Sequence, residues 1–374
     1  MTSNDQGPSS IEAWEAEYQA LQARKGVVRS QPQQDGGFFG KIGQAFTQVL
    51  EPKSDPIIMA NLEASEAKKG PRQLDAPPVD GFRVVREYQH VKESFTQGVE
   101  WVHGEKVWYE GSGGPSFSHG TRIFKMDLET GKVLQYRSLP TRHFGEGITV
   151  LGNKLYQLTW RSNVGFVYDK DTLELLDDFH YDHEGWGLTN NGKELIMSDG
   201  SATLYFHDAE TLKETRKMTV RYLAKRSGEM TPLRRLNDLQ WVKGKVFSNI
   251  WEADRIAVIN PDTGIVERFI DLKGMLDESD PWIQKWTRSD RCLNGIAYDE
   301  VTLSISIEPD HRAGSDFCIH KVEDRLFVTG KMWTKIYEIE VVEGAGDKEE
   351  MDKKALPKDY YNPAGSFDPL GMSR

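Results

Sequence analysis

The sequence predicts an all-β domain over most of the chain, and three observations lead to this prediction. From Phe82 onward the chain consists of short runs rich in β-branched and aromatic residues. Gly, Asp, Asn or Pro bounds each run, and long helical periodicities are missing there. An apolar strand preceded by a Gly-rich corner also recurs along the chain. We therefore expect a β domain over residues 81–345, after an N-terminal extension and linker over residues 1–80.

The recurring strand determines the predicted architecture. Its five copies are FTQGVEW from Phe95, FGEGITVL from Phe144, GWGLTNNG from Gly185, LNDLQWVKG from Leu236 and LNGIAYDE from Leu293. Equivalent positions are Gly98, Gly147, Gly187, Asp238 and Gly295, at intervals of 49, 40, 51 and 57 residues. Such periods are typical of propeller blades, because a lone four-stranded sheet must stack on its neighbours. The sequence predicts a five-bladed β-propeller.

Turns and connections support this arrangement. A second motif recurs as DLET from Asp127, DKDT from Asp169, DAET from Asp208 and NPDT from Asn260. Its Asx residue caps its own backbone and suits a tight hairpin. We expect the strand FRVVREY from Phe82 to close the ring as the outer strand of the C-terminal blade. The segment 304–324 interrupts that blade and is interpreted as an insertion. One possibility is that this insertion forms a hairpin of its own.

The termini differ in composition from the β domain. The extension over residues 1–80 contains Pro, Gly and polar punctuation, so it is expected to be partly helical or disordered. Ile11, Trp14, Tyr18 and Leu21 share one face of a short helix, which either docks on a membrane or partner or packs on its own domain. Packing on its own domain is the favoured interpretation. A weaker apolar patch covers Phe38 to Leu50, and residues 346–374 form a C-terminal tail.

Composition excludes several classes of protein. The 374 residues carry a net charge of −11, which makes nucleic acid an unsuitable partner. No apolar run approaches the roughly 20 residues that span a bilayer. The first residues lack the features of a secretory signal, so a targeting segment is expected to be absent or removed. Cys292 and Cys318 permit one disulfide at most, and two free thiols are slightly favoured.

Polar residues stand at the corners that lead into the predicted inner strands. Because these strands converge on the propeller axis, their corners can surround one ligand. The corner residues are Gln97, Glu146, Asn237 and Asn294, and the accompanying aromatic residues are Phe95, Phe144, Trp160, Trp186 and Trp251. Any one of them alone is more simply a turn former or a core residue. Their combination predicts an apolar pocket that contains one carboxyl group.

Two residues of this set suggest chemistry. Burial among aromatic side chains raises the pKa of a carboxyl, which makes Glu146 the candidate general acid and base. Lys331, in the segment FVTGKMW, is the one cation expected from a comparable position, where its ammonium would stabilise an oxyanion. The pair His180 and His183 could supply two zinc ligands but lacks a convincing third, so no metal ligand is assigned.

The motifs FTQG, FGEG, EGWGL, LNDLQW, NIWEAD, LNGIAY and FVTGKMW, in this order, resemble the plant and bacterial type of glutaminyl cyclase, also called glutaminyl-peptide cyclotransferase. The resemblance runs from about Phe82 to Glu340 and leaves the N-terminal extension and the insertion outside. It implies a five-bladed propeller that converts an N-terminal glutamine to pyroglutamate with release of ammonia. The family pattern has DGWGL where this chain has EGWGL.

The resemblance also carries expectations about residues and partners. It implies catalytic roles for Gln97, Glu146, Asn237 and Lys331, and a pocket formed by the five aromatic residues. It implies no cofactor for catalysis, with a structural calcium ion in the central channel of some members. The expected partners are peptides or proteins with N-terminal Gln, and the chain is expected to be a monomer. The secretory pathway, a vacuole, an envelope or the cell exterior is the expected location, with membrane attachment through a missing or N-terminal segment left open.

Two other functions remain open from the residues alone. In a calcium-dependent propeller hydrolase of the lactonase type, Glu146, Asn237, Asp238 and Asn294 would be metal ligands. A cation at Lys331 opposes that interpretation. The other alternative is a non-catalytic propeller that binds peptides. Chelation and an activity assay separate these possibilities.

Overall fold

The computed structural model describes residues 10–30, 75–114, 120–300, 304–308, 316–320 and 324–346, with the backbone alone for 27–30, 304–308 and 316–320. The apolar patch at 38–50 and nearly all of the predicted C-terminal tail lie outside these ranges. Contacts divide the chain into one unit of residues 1–18 and 76–374 and another of residues 19–75.

The described part of the chain contains one long helix, α1 (Ile11–Ser30), and a short 3-10 helix (Ile283–Lys285) among many strands. In chain order the strands are β1 Val79–Gln89, β2 Phe95–Val102, β3 Val107–Gly113, β4 Arg122–Asp127, β5 Lys132–Ser138, β6 Gly145–Leu151, β7 Lys154–Thr159, β8 Val164–Asp169, β9 Leu175–His180, β10 Leu188–Asn190, β11 Glu194–Ser198, β12 Thr203–Asp208, β13 Glu214–Thr219, β14 Arg221–Leu223, β15 Met230–Pro232, β16 Leu236–Val242, β17 Lys245–Ile250, β18 Arg255–Ile259, β19 Val266–Asp271, β20 Leu293–Asp299, β21 Ser304–Glu308, β22 Asp316–His320, β23 Arg325–Gly330 and β24 Lys335–Val342.

The strands form antiparallel sheets, which confirms the all-β class. Strands β2–β5, β6–β9 and β10–β13 each form a four-stranded sheet in chain order. An eight-stranded sheet contains β16–β19 followed by β1, β24, β23 and β20, and its two halves meet where β1 pairs in parallel with β19. Two further hairpins are β14–β15, which the sequence did not indicate, and β21–β22.

The strands β2, β6, β10, β16 and β20, here called the inner strands, contact one another in cyclic order. Close approach between them depends on glycine. A Cβ atom at Gly147 would lie 2.6 Å from the Trp186 carbonyl oxygen, and one at Gly98 would lie 2.7 Å from the Gly147 Cα. The Gly147 N–H instead donates to the Trp186 carbonyl at 2.7 Å. This cyclic contact is the propeller-like feature of the fold.

The predicted turns have the expected chemistry. The Thr130 N–H donates to Asp127 Oδ1 at 2.7 Å, and the Thr211 N–H donates to Asp208 Oδ1 at the same distance. The turns at Asp169 and Asn260 repeat this bond. Hydrogen bonds from Thr130 hold the pKa of Asp127 below its usual value. These turns are fixed by local sequence.

The N-terminal and C-terminal strands of the β domain pair with each other, as predicted. Strand β1 is antiparallel to β24 from Gly81↔Val342 to Gln89↔Lys335, and Arg83 forms an ion pair with Glu340. The insertion forms the hairpin β21–β22. Cys292 is buried and free, whereas the side chain of Cys318 lies outside the described residues.

The start of α1 packs on the β domain, which agrees with the favoured interpretation. Trp14 is fully buried, stacks on Tyr18 and meets Phe166 edge-on with ring centroids 5.0 Å apart. Glu17 Oε2 accepts from Arg137 Nη2 and from the Leu175 N–H, both at 2.9 Å. Within the described ranges, no helix is long and apolar enough to cross a bilayer.

Candidate active site

Four corner residues occupy equivalent places near the starts of inner strands. Gln97, Glu146, Asn237 and Asn294 lie on β2, β6, β16 and β20, and all four are buried. The pairing register of each strand shifts at this place, between 96 and 98, 145 and 148, 236 and 239, and 293 and 296. Such irregularities re-aim a side chain relative to its sheet. The repeated corner is therefore a repeated break in strand pairing.

Glu146 is the acidic member of this set. Burial raises the pKa of its carboxyl well above the usual value, and the negative charges of Glu184 and Asp238 raise it further. The positive charge of Lys331 opposes these effects. A carboxyl whose pKa is raised in this way is suited to exchange a proton with a bound group.

Lys331 comes from the turn after β23, almost 190 residues beyond Glu146 in the chain. Its N–H donates to the Cys292 carbonyl at 3.0 Å, and its Nζ lies 4.8 Å from the centroid of the Phe95 ring. The side chain is mostly buried, and its charge acts on the Glu146 carboxyl. The fold therefore brings the acid and the ammonium to one site.

Aromatic rings form a connected wall, here called the aromatic cup; its residues are Phe95, Phe144, Trp160, Trp186 and Trp251. Phe95 meets Phe144 edge-on at 6.4 Å between centroids, and Phe144 meets Trp160 at 5.7 Å. Trp186 meets Trp251 at 5.6 Å. All five rings are partly exposed, as expected for the lining of an open pocket.

Glu184 joins the two halves of the aromatic cup. Its Oε2 accepts the Trp160 indole N–H at 2.8 Å and the Trp186 indole N–H at 3.0 Å, while Oε1 accepts from Arg161 Nε at 3.1 Å. Sequence reasoning did not assign this residue a role. The available signal was an acidic residue two positions before Trp186, where EGWGL departs from the family pattern.

Two arginines also contact rings of the aromatic cup. Arg161 lies 3.9 Å from the Trp160 ring centroid, and Arg235 lies 5.6 Å from that of Trp251. Both are paired with acids, Arg161 with Glu184 and Arg235 with Glu252 at 3.1 Å.

The buried amides are oriented by one another. Asn294 Nδ2 donates to the Thr96 carbonyl at 2.9 Å and to Gln97 Oε1 at 3.2 Å. Asn294 thereby orients the Gln97 amide, and no hydrogen bond from Gln97 Nε2 to another described residue is observed, so this group can donate to a ligand. Asn237 Oδ1 is buried and has no hydrogen-bond partner among the described residues. These amides can bind a polar substrate group inside an otherwise apolar site.

The two histidines considered as zinc ligands, His180 and His183, make other contacts. The His183 ring stacks on Tyr205 with centroids 3.7 Å apart, and the His180 side chain is largely exposed beside Asp178. Within the described ranges, no group of three His, Cys, Asp or Glu residues could hold a metal ion. This pair is accounted for by stacking and surface contacts.

Comparisons with known proteins give matches to one enzyme family over most of the chain. The family model described as glutamine cyclotransferase matches residues 56–307, so Lys331 lies beyond the matched range. A glutaminyl-peptide cyclotransferase from Arabidopsis thaliana is 35% identical over 264 residues, which cover 70% of this chain and 72% of that protein. The crystal structure of a Myxococcus xanthus glutaminyl cyclase matches with a TM-score of 0.56 and 26% identity, over 71% of this chain and 99% of that one. Matches of this extent and identity show that the chain belongs to the glutamine cyclotransferase family.

Proposed function

We propose that this protein cyclises the N-terminal glutamine of peptides or proteins to pyroglutamate and releases ammonia. Family membership supports an enzyme of this kind. The observation that carries the proposal is a buried carboxyl, Glu146, that interacts with the ammonium of Lys331 beside the aromatic cup. Family membership also favours this function over a lactonase or a silent peptide-binding propeller.

The proposed reaction is intramolecular. The neutral α-amine attacks the γ-carboxamide carbon, a new C–N bond closes the ring, and the old C–N bond breaks to release ammonia. Holding the glutamine side chain folded over its own amine therefore supplies much of the rate advantage. The aromatic cup packs on the side-chain methylenes and excludes water that would hydrolyse the amide.

Glu146 is proposed to carry the proton from the attacking amine to the departing nitrogen. An α-amino group has a pKa of about 7.7–8.0, and the raised pKa of Glu146 brings the two groups closer in proton affinity. One carboxyl can thus accept the amine proton and return it to the leaving group.

Lys331, Asn237 and Gln97 are proposed to act on the γ-carbonyl. The Lys331 ammonium and the free Nε2 donor of Gln97 would polarise this oxygen and stabilise the tetrahedral oxyanion. Asn294 positions Gln97 by occupying its Oε1 atom. Asn237 would donate through its Nδ2 group.

We further propose that the sheets form five blades. The three four-stranded sheets supply three, strands β16–β19 a fourth, and strands β20, β23, β24 and β1 the fifth. Cyclic contact among the five inner strands supports this count. Closure of the last blade by β1 would lock the two ends of the domain together.

A structural calcium ion is compatible with the central residues. Calcium binds six to eight oxygen ligands. Buried oxygens without a hydrogen-bond partner among the described residues are Asn237 Oδ1, Asp238 Oδ1, Gln240 Oε1 and Asn294 Oδ1. Those of Asp238 and Gln240, which have no proposed part in the reaction, would contribute ligands to the ion, which would neutralise Asp238, whose pKa burial raises well above its usual value. The ion would stabilise the channel and take no part in the proton transfer.

The test is incubation with a short peptide that begins with Gln, followed by mass spectrometry for loss of ammonia. Wild type should convert the peptide with or without a chelator, whereas Glu146→Gln should lose on the order of 10²–10⁴-fold in rate. A peptide that begins with Asn is the matched substrate control. Absence of conversion by the folded wild type, or full activity of Glu146→Gln, would refute the proposal.

A further inference from the structure

A second concavity lies on the same edge of the sheets as the aromatic cup. This region, here called the outer cavity, has a volume of about 510 Å³. Its walls come from the end of β17, the start of β18, the end of β19, the segment 272–293 and Trp333. The volume falls in the range of about 300–1,000 Å³ that is typical of ligand sites.

The outer cavity and the candidate active site adjoin at two places. Glu252 lines the cavity, and the preceding residue, Trp251, belongs to the aromatic cup. Cys292 also lines the cavity, and its carbonyl accepts the N–H of Lys331. Burial raises the pKa of the Cys292 thiol, and the charge of Lys331 partly opposes this effect. The two regions are thus connected by a peptide bond at one place and by a backbone hydrogen bond at the other.

The lining of the outer cavity combines apolar side chains with side chains of positive and of negative charge. Apolar surface comes from Leu272, Leu276, Leu293 and Trp333. The rim contains oppositely charged pairs, with Arg255 Nη2 3.2 Å from Asp271 Oδ2 and Arg288 Nη2 3.7 Å from Asp254 Oδ2. A ligand of one strong charge would meet repulsion from half of this rim. A peptide segment, with alternating donors and acceptors and apolar side chains, suits such a lining.

Among the three arginines of the cavity lining for which an ion pair is described, Arg291 has the longest distance to its acidic partner. Its Nη2 lies 4.0 Å from Glu278 Oε1, beyond hydrogen-bond distance, and its Nη1 has no hydrogen-bond partner among the described residues. The Trp333 indole N–H donates to the Arg291 carbonyl at 2.9 Å and fixes the backbone there. The buried Nη1 of this lining residue therefore lacks a partner in the described part of the chain, and a peptide carbonyl oxygen would supply one.

We propose that the outer cavity is the subsite for the second to fourth residues of the substrate peptide. The inference rests on the proposed function, since a peptide whose N-terminal glutamine occupies the aromatic cup must extend from it. Three extended residues span about 10 Å, which a cavity of this size accommodates. The apolar floor beside Leu276 and Trp333 favours an apolar side chain among these residues. Binding there holds the glutamine in place and raises kcat/KM.

The test measures kcat/KM for glutamine amide, which has no second residue, and for Gln-initiated peptides of two to five residues with a leucine after the first position. Wild type should gain about tenfold between glutamine amide and the tetrapeptide, and little beyond. Ala253→Phe and Leu276→Trp add bulk to the cavity, and either should abolish most of that gain while leaving turnover of glutamine amide unchanged. Leu176→Trp, on exposed surface of β9, is the matched control and should retain the gain.

Binding of pyroglutamyl peptides, measured by calorimetry, tests the subsite without catalysis. Product affinity should rise with peptide length in wild type and not in the two cavity variants, whose folding is checked by thermal melting. Length-independent kcat/KM and binding in wild type, or an unaltered gain in both folded cavity variants, would overturn the inference. No turnover of any peptide would refute the proposed function, while length-dependent product binding would still support the subsite.

Discussion

The indole Nε1 of Trp160 donates a hydrogen bond to Glu184 Oε2 at 2.8 Å, and the same oxygen accepts the Trp186 indole N–H. One carboxylate therefore fixes two walls of the aromatic cup, one from the residue after β7 and one from the segment before β10. Its negative charge also adds to the burial that raises the pKa of Glu146. Glu184 links the shape of the cup to the acidity of the proposed proton carrier.

Replacement of Glu184 should change both properties. Glu184→Ala removes the shared acceptor, and we expect kcat/KM to fall about tenfold, mainly through KM, because the rings lose their orientation. Glu184→Gln removes the charge, so the pKa of Glu146, which Lys331 and Asp238 also influence, should fall. The acidic limb of the pH–rate profile should then move to lower pH. Glu174→Gln, at an exposed position just before β9, is the control, and an unmoved profile in Glu184→Gln would contradict the electrostatic link.

Removal of the Glu146 carboxyl should stabilise the protein at higher pH. Because burial raises the pKa of Glu146 in the folded state, its contribution to the free energy of unfolding falls as pH rises from about 4.5 towards the folded-state pKa. Glu146→Gln has no such loss. Urea unfolding from about pH 4 to pH 9 should therefore show a growing advantage of the variant over wild type. Parallel stability curves would argue against a raised pKa.

Catalysis should require the positive charge of Lys331 at its position beside the Phe95 ring. Lys331→Ala should lower kcat by about 10²–10³-fold, the usual effect of losing one oxyanion donor. It should also raise the pKa of Glu146, since the Lys331 charge lowers it in wild type. Lys331→Arg keeps the charge, so its Glu146 pKa should stay closer to that of wild type. A loss below about threefold in Lys331→Ala would contradict the proposed role.

His90 and Glu110 form a buried pair beside the candidate site. His90 Nε2 lies 2.8 Å from Glu110 Oε2, and Nδ1 lies 2.7 Å from the Trp333 carbonyl. Burial opposes the charge on His90, but the charge and hydrogen bond of Glu110 outweigh it and raise the pKa of His90. Burial likewise opposes ionisation of Glu110, yet His90 and hydroxyl donors hold the pKa of Glu110 below its usual value.

The pair should stabilise the protein over a defined pH range. The contribution of Glu110 is lost as pH falls below about 4.5, and that of His90 is complete below about 6.5 and lost as pH rises through its folded-state pKa. His90→Gln should cost about 3–5 kcal/mol within that range, because a buried charge is left alone. The double variant His90→Gln/Glu110→Gln should recover part of this loss in denaturant unfolding. Additive effects of the two substitutions would rule out coupling.

The start of α1 should contribute to stability through Trp14. Trp14→Ala leaves a cavity against Phe166 and should cost about 3–5 kcal/mol, measured by denaturant unfolding. Ile11→Ala, at an exposed position, is the control and should have little effect. Equal effects of the two substitutions would show that the helix does not depend on its Trp14 contact.

The start of α1 also contacts the segment that precedes Glu146. Glu15 forms an ion pair with Arg142, and the Trp14 ring lies 5.9 Å from that of His143, just before Phe144. Trp14→Ala should therefore also lower kcat modestly, an effect absent in Ile11→Ala.

Much of the fold and of the candidate site was accessible from the sequence. The Asx turns at Asp127 and Asp208, and the corner residues Gln97 and Glu146, depend on contacts within a few residues and on the alternation of strands. Such short-range patterns can be recognised in the sequence without knowledge of the tertiary structure. The hairpin β14–β15 and the outer cavity correspond to no such local pattern, and the position of Glu184 before Trp186 did not reveal which groups it binds.

The sequence by itself determined the strand class, the recurring corner and the identity of the polar side chains there. Tertiary structure alone decided that Lys331 lies over Phe95, that one glutamate holds two indoles, and that Trp14 packs on a ring more than 150 residues away. The physical reason is the separation along the chain between the residues that interact. Hydrogen bonds within a turn act over three or four residues, whereas the convergence of inner strands depends on how every sheet packs against the next.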